Sequence, residues 1–122
     1  MSAAPLSMGL LTYGSIAEWH PAGLALREAC GKARGLCVAR GVDLARVAIG
    51  YAVGVGEVPV TFLGMKSVEE VDFALGCVTV EEGTKAIAEE LCGDEYFGLL
   101  RGEPGWDWRK DVDAYQDAVR RV

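Results

Sequence analysis

Val58-Pro59-Val60-Thr61-Phe62-Leu63-Gly64-Met65-Lys66-Ser67-Val68-Glu69-Glu70-Val71 is the stretch that decides the fold. Its first six residues are almost wholly apolar and rich in β-branched side chains. They lack the in-out alternation of a half-solvated strand, so the expectation is a strand buried on both faces, as in a parallel sheet. Pro59 sits near the start, where a strand tolerates the missing N–H, and Gly64 ends the run. Ser67-x-x-Glu70 reads as a capping box opening a helix whose apolar face is Val68, Val71 and Leu75. The element order is strand, glycine turn, helix.

Working outward, Leu24, Leu26, Ala29, Cys30, Ala33, Leu36, Cys37 and Ala39 recur at helical spacing, with Arg27, Glu28, Lys32 and Arg34 between them. That helix should run to about Arg40 and stop at Gly41. Asp43 is placed to accept amides of a second helix carrying Leu44, Val47, Ala48, Tyr51 and Ala52, which dissolves near Gly54-Val55-Gly56. The opening, Ala3 to Thr12, reads as a short buried strand running into a loop, and Tyr13 to Pro21 as loop. Thr79-x-x-Glu82 looks like a second capping box, for a helix to about Cys92. Beyond a loop around Gly102-Glu103-Pro104-Gly105-Trp106, a charged helix is expected from about Asp107, with Val112, Tyr115 and Val119 on one side. The alternation of strands and helices is the α/β pattern of parallel strands joined by helical crossovers.

At 122 residues, 51% of them hydrophobic and 25% charged, the chain supports one folded domain rather than a disordered segment. Twelve Lys plus Arg against eighteen Asp plus Glu give a net charge of −6, which argues against a nucleic-acid or anionic-membrane surface. No apolar run reaches the roughly 20 residues of a membrane-spanning helix, and the first residues lack the basic start of a secretory signal. Cys30, Cys37, Cys77 and Cys92 show no C-x-x-C spacing, and His20 is the single histidine, so no metal site is expected. The cysteines read as small apolar core residues of a reducing compartment, cytoplasmic or another intracellular one. The competing reading is a disulfide or redox pair between Cys30 and Cys37, seven residues apart on one helix face.

Two stretches resemble the aldo/keto reductases, and within them the branch that oxidises free sugars, the L-galactose and D-arabinose dehydrogenase-like group. Ala4-Pro5-Leu6-Ser7-Met8-Gly9-Leu10-Leu11-Thr12 is similar to that family's S-P-L-x-x-G-L-L-T segment at the end of the seventh barrel strand, and Glu18-Trp19-His20-Pro21-Ala22 to its E-W-H-P-A loop. Thr61 to Val71 resembles the eighth strand and the turn into the last helix, G-M-x-S-V-x-Q-V. The likeness covers about Ala3 to Leu75 and fades from Cys77. It implies the C-terminal quarter of a (β/α)8 barrel, about two parallel strands with crossover helices, in residues 1–78. Residues 79–122 would form a divergent helical extension.

By the same resemblance the function is that of an NAD(P)-dependent oxidoreductase. The family's Asp, Tyr, Lys and His catalytic set lies in the first half of the barrel and has no counterpart here. The chain alone is therefore expected to be inactive, with NAD(P) as cofactor only where the rest of a barrel is supplied. Leu6, Gly9, Gly64, Met65 and Ser67 match cofactor-contact positions, and Lys66 adds a cation at the helix start. Trp19 and His20 match the substrate loop. Three departures act against binding: Ala4 stands where the family has a phosphate-contacting Ser, Glu70 where it has an adenosine-side Gln, and Ala74 where it has an adenine-side Asn.

Each of these residues also has a structural reading. His20 has no carboxylate or nucleophile partner in sequence and reads mostly as loop packing. Trp19, Trp106 and Trp108 read as packing residues, and Lys66 as a solvated turn lysine. Glu69, Glu70 and Asp72 occupy the first turns of a helix, where negative charge is expected. Gly54-Val55-Gly56 lacks the third glycine and following helix of a dinucleotide fingerprint. A quarter barrel would expose strand edges, so either a protein partner or the tail with Trp106, Trp108, Tyr115 and Val119 is expected to cover them. The rival function is a structural or interaction subunit derived from an aldo/keto reductase. A gene product whose first half is missing is the third reading.

Overall fold

The computed structural model describes residues 1–79, 81–100, 120 and 121. Two short strands, β1 (Ser2–Ala3) and β2 (Thr61–Phe62), pair in parallel with Ser2 opposite Thr61 and Ala3 opposite Phe62. The Ser2 N–H donates to Val60 O at 2.8 Å and the Ala4 N–H to Phe62 O at 3.1 Å. Between the strands run α1 (Leu24–Ala39) and α2 (Leu44–Gly54); α3 (Val68–Gly76) and α4 (Glu82–Leu91) follow β2. The architecture is α/β with helical crossovers between parallel strands, as the order of sequence signals implies.

Local signals account for the helix boundaries. Gly41 takes a φ of +67° just past α1, a conformation that disfavours any residue with a Cβ. Asp43 caps α2, its Oδ1 accepting from the Ala45 N–H at 2.7 Å. Ser67 caps α3, its Oγ accepting from the Glu70 N–H at 3.2 Å. Removing the Asp43 cap leaves an orphan amide at the start of a core helix. Asp43→Ala should lower unfolding stability by about 1 kcal/mol in urea titration, and Asp43→Ser by much less.

Three expectations fail. The opening strand, short and running into a loop as expected, is not buried: Ser2 is half-buried and Ala3 exposed, and Ala4, Ser7 and Met8 then take positive φ values of 52°, 49° and 54°, turning the chain through a 3₁₀ turn at Ser7–Gly9. Thr79 does not cap α4, which starts at Glu82 with Glu81 as its N-cap and no capping side-chain bond. The run Val58 to Leu63 is not buried on both faces. Val60 is 43% and Phe62 58% exposed, because among the described residues each strand pairs only with the other and no second layer encloses them. The face read as apolar on α3 is exposed too: α3 buries none of its residues. It is held to α2 by Arg46, whose Nη1 donates to Gly76 O at 2.9 Å and whose guanidinium lies 5.2 Å from the Phe73 ring centroid.

The core lies among the helices instead. Ala33 and Cys37 of α1, Leu44 and Val47 of α2, and Ile87, Ala88 and Leu91 of α4 form one buried cluster. Leu10, Ala22 and Cys30 form a second, and Leu11 and Phe97 pack against both. Helix α4, in the stretch 79–122 expected as an extension, contributes to the principal core. The expected tail helix, and with it Trp106, Trp108, Val112, Tyr115 and Val119, lies outside the described residues.

Cys30, Cys37 and Cys77 are buried free thiols, and Cys92 is exposed. Burial pushes the Cys30 thiol up to about 11, against a partial lowering by Arg34. A thiol that ionises later in the folded than in the unfolded chain leaves stability intact below about pH 9. Between about pH 9 and 11 the unfolded state loses its proton first, so stability falls there, by at most about 2–3 kcal/mol from this group. Urea midpoints measured across that window should drop, and drop less in Cys30→Ala.

Candidate functional site

In an α/β sheet, ligands bind beyond the carboxyl ends of the strands. Here the Ala4–Phe62 hydrogen bond makes the loop after β1 and the turn after β2 leave the same end of the sheet side by side. The sequence-predicted residues Leu6, Gly9, Gly64, Met65, Lys66 and Ser67 therefore belong to two adjoining loops.

The first loop is strained and tied down. Ala4, Ser7 and Met8 are non-glycine residues in the left-handed region, each costing on the order of 1 kcal/mol or more. Gly9, at φ +93°, supplies the freedom for the exit from this turn. The Leu6 carbonyl accepts from the Gly9 and Leu11 amides at 3.1 and 3.2 Å. Buried His20 reaches in from the next loop: Nδ1 accepts from the Ala22 N–H at 3.1 Å, so the proton sits on Nε2, which donates to Ser7 O at 2.9 Å. Trp19 stacks on His20, their ring centroids 6.1 Å apart and their planes inclined by 23°.

Arg27, which by sequence pattern is one of the charged residues between the apolar positions of α1, organises that loop. Its Nε donates to Ala22 O at 2.9 Å, and its Nη2 to His20 O at 2.7 Å and Ala17 O at 3.2 Å. A guanidinium in the first turn of a helix opposes the helix dipole. Three backbone carbonyls offset that cost and hold residues 17–22 in one conformation. A helical arginine at the wrong end for the dipole was the signal that could have found it.

The second loop is exposed. Gly64 borders open space, with nothing within 4 Å of where a Cβ would stand. Some of the donors at this turn are engaged within the chain. The Lys66 N–H donates to Glu70 Oε2 at 2.8 Å, so Glu70 closes its box on Lys66 and not on Ser67. The Glu69 carboxyl is held below its usual range by hydrogen bonds from its own amide and from Ser67. Two carboxylates already occupy the positive end of α3. Negative charge there acts against an anion at the start of α3. Among the described residues no group of three His, Cys, Asp or Glu side chains could hold a metal ion, and no helix is long and apolar enough to cross a membrane.

A cavity of about 370 Å³ lies elsewhere, between α1, α2 and α4. It is lined by Leu26, Cys30, Leu44, Val47, Ala48 and Leu91 among others, and Ser7, Leu10 and Leu11 border it from the loop after β1.

No family model matches the chain. It is 37% identical over 112 residues to an L-galactose dehydrogenase of Arabidopsis thaliana, covering 92% of this chain and 34% of that protein. It is 41% identical over 76 residues to a D-arabinose 1-dehydrogenase of Saccharomyces cerevisiae, covering 61% of this chain and 22% of that protein. The chain thus spans about a third of the first relative's length and about a fifth of the second's. A match of 112 residues cannot stop at Cys77, where the motif likeness was expected to fade. With the parallel strand pair and its two adjoining loops, these matches show that the chain belongs to the aldo/keto reductase family and corresponds to the C-terminal part of a member similar to the sugar dehydrogenases.

Proposed function

We propose that this chain forms the closing strand–helix units of a (β/α)8 aldo/keto reductase barrel, in an NAD(P)-dependent oxidoreductase that acts on a sugar hydroxyl or carbonyl. The observation that supports this most directly is the pairing of β1 with β2 in parallel, which sets the strained loop and the Gly64–Ser67 turn at one end of the sheet. In a complete barrel that end carries the active site. The chain's contribution is positional: a loop locked by His20 and Arg27, and a glycine turn open to a ligand's approach. Cofactor and catalytic groups require the rest of the barrel.

A second reading, a non-catalytic interaction subunit derived from the family, is favoured by the Glu70 carboxylate on the Lys66 amide, which places negative charge where a phosphate would lie. Calorimetric titration of NADH and NADPH into the purified chain separates the two. Saturable binding by the chain alone would argue against the interaction subunit. For both readings, no NAD(P)-linked sugar oxidation by the chain alone is the expected result, and turnover above a protein-free control would contradict both.

A further inference from the structure

A void lies among the core helices, where packing should be closest. Protein interiors pack about as tightly as organic crystals and hold few spaces larger than a water molecule. Between α1, α2 and α4, however, about 370 Å³ stands open. Among the described residues that line it none is charged, and Ser7 and Tyr51 alone carry a side-chain oxygen. Ordered water needs several polar partners, so a lining this apolar is a poor host for it. Burial grades the lining from inside to outside. Cys30 and Leu44 are 0% and 1% exposed and form the inner wall. Tyr51, 52% exposed, and the exposed Cys92 mark the mouth.

We propose that this cavity is a binding site for an uncharged aromatic molecule of about two or three rings. Volume sets the size: an apolar cavity of roughly 150 Å³ holds a benzene, and ligand sites begin at about 300 Å³. The lining sets the chemistry. Burying an ion against leucine, valine and alanine with no counter-charge is unfavourable, which excludes charged ligands. Phe97 and Tyr51 supply rings for offset or edge contact, and the Cys30 and Cys92 sulfurs favour an aromatic neighbour over an aliphatic one. Three core helices and one loop make the site, so it stands whether or not the chain closes a barrel. An occupant meets the strained loop at Ser7, whose carbonyl accepts from His20.

The test is titration of the full chain with the uncharged probe N-phenyl-1-naphthylamine, whose fluorescence rises in apolar surroundings. Saturable one-to-one binding is expected. Ala48 lines the cavity at a half-buried position. Ala48→Phe should weaken binding roughly tenfold or more, and Ala48→Ile, with less bulk to disturb the fold, about threefold or more. Phe62→Asp and Leu75→Asp, at exposed apolar side chains of β2 and α3, should leave it unchanged. At saturating probe, alkylation of Cys92 by iodoacetamide, followed by mass spectrometry, should slow several-fold. No saturable binding would overturn the proposal, as would Cys92 alkylation indifferent to the probe. So would affinity that survives both Ala48 substitutions or is lost in Phe62→Asp, since the probe would then sit on the outer apolar surface.

Discussion

Leu44→Ala is expected to lower the stability of the chain by about 3 kcal/mol, the largest loss from any single truncation proposed for it. Leu44 is 1% exposed at the first position of α2 and belongs to the cluster that joins α1, α2 and α4. Its side chain also lines the 370 Å³ cavity. Truncation would enlarge an apolar void already present, and surroundings that have not closed over that space have little scope to collapse further. Urea unfolding should show a lower midpoint with an unchanged slope. Ala48→Ile, at a half-buried position lining the same cavity, should instead raise stability by about 1 kcal/mol by filling space. Phe62→Ala and Leu75→Ala, on exposed side chains, should each move it by less than about 0.5 kcal/mol. The reverse ranking would mean that the core lies under the strands and not among the helices.

That contrast also explains what the sequence could reveal. Helices α1 and α2 were legible because their determinants are local: a 3.6-residue period, Gly41 where the chain turns left-handed, and Asp43 within reach of the Ala45 amide. The parallel sense of β1 and β2 followed from the helices between them. The length and burial of the strands were not legible, since a strand is enclosed by neighbours that the apolar run at Val58 to Leu63 cannot supply. The Thr79 box failed because the pattern fits two starts, and the helix begins at Glu82 beyond a turn anchored by Cys77, whose backbone N–H donates to Ala74 O. The cofactor-loop positions were legible only as a likeness of motif. Nothing in the letters shows that Glu70 bonds the Lys66 amide, because that choice depends on the path of the Gly64–Ser67 turn.

Arg27→Met should lower stability by about 2–3 kcal/mol, or roughly 10 °C in melting temperature for a chain of this size, and should free the loop at the candidate site. The wild-type guanidinium donates to the carbonyls of Ala17, His20 and Ala22, and methionine keeps the packing of the stem while removing that donor from all three, of which Ala17 O keeps the His20 N–H at 3.0 Å. Arg27→Lys should recover little of the loss, since a single ammonium cannot span three carbonyls held by a planar fork. The effect propagates through His20. Once residues 17–22 loosen, the Nε2–Ser7 bond at 2.9 Å is no longer enforced, and the left-handed backbone at Ser7 and Met8 loses a restraint that holds it. Relief of that strain returns part of the lost stability, so the global cost stays below the sum of three charge-assisted hydrogen bonds. Trp19 provides a local readout through its stacking on His20. In Arg27→Met its fluorescence should respond to added quencher several-fold more strongly than in the parent chain at temperatures well below unfolding. In Asp43→Ala, which weakens α2 without touching this loop, quenching should be unchanged. Equal quenching in all three chains would show that the loop holds its conformation without Arg27, and that the arginine serves α1 alone.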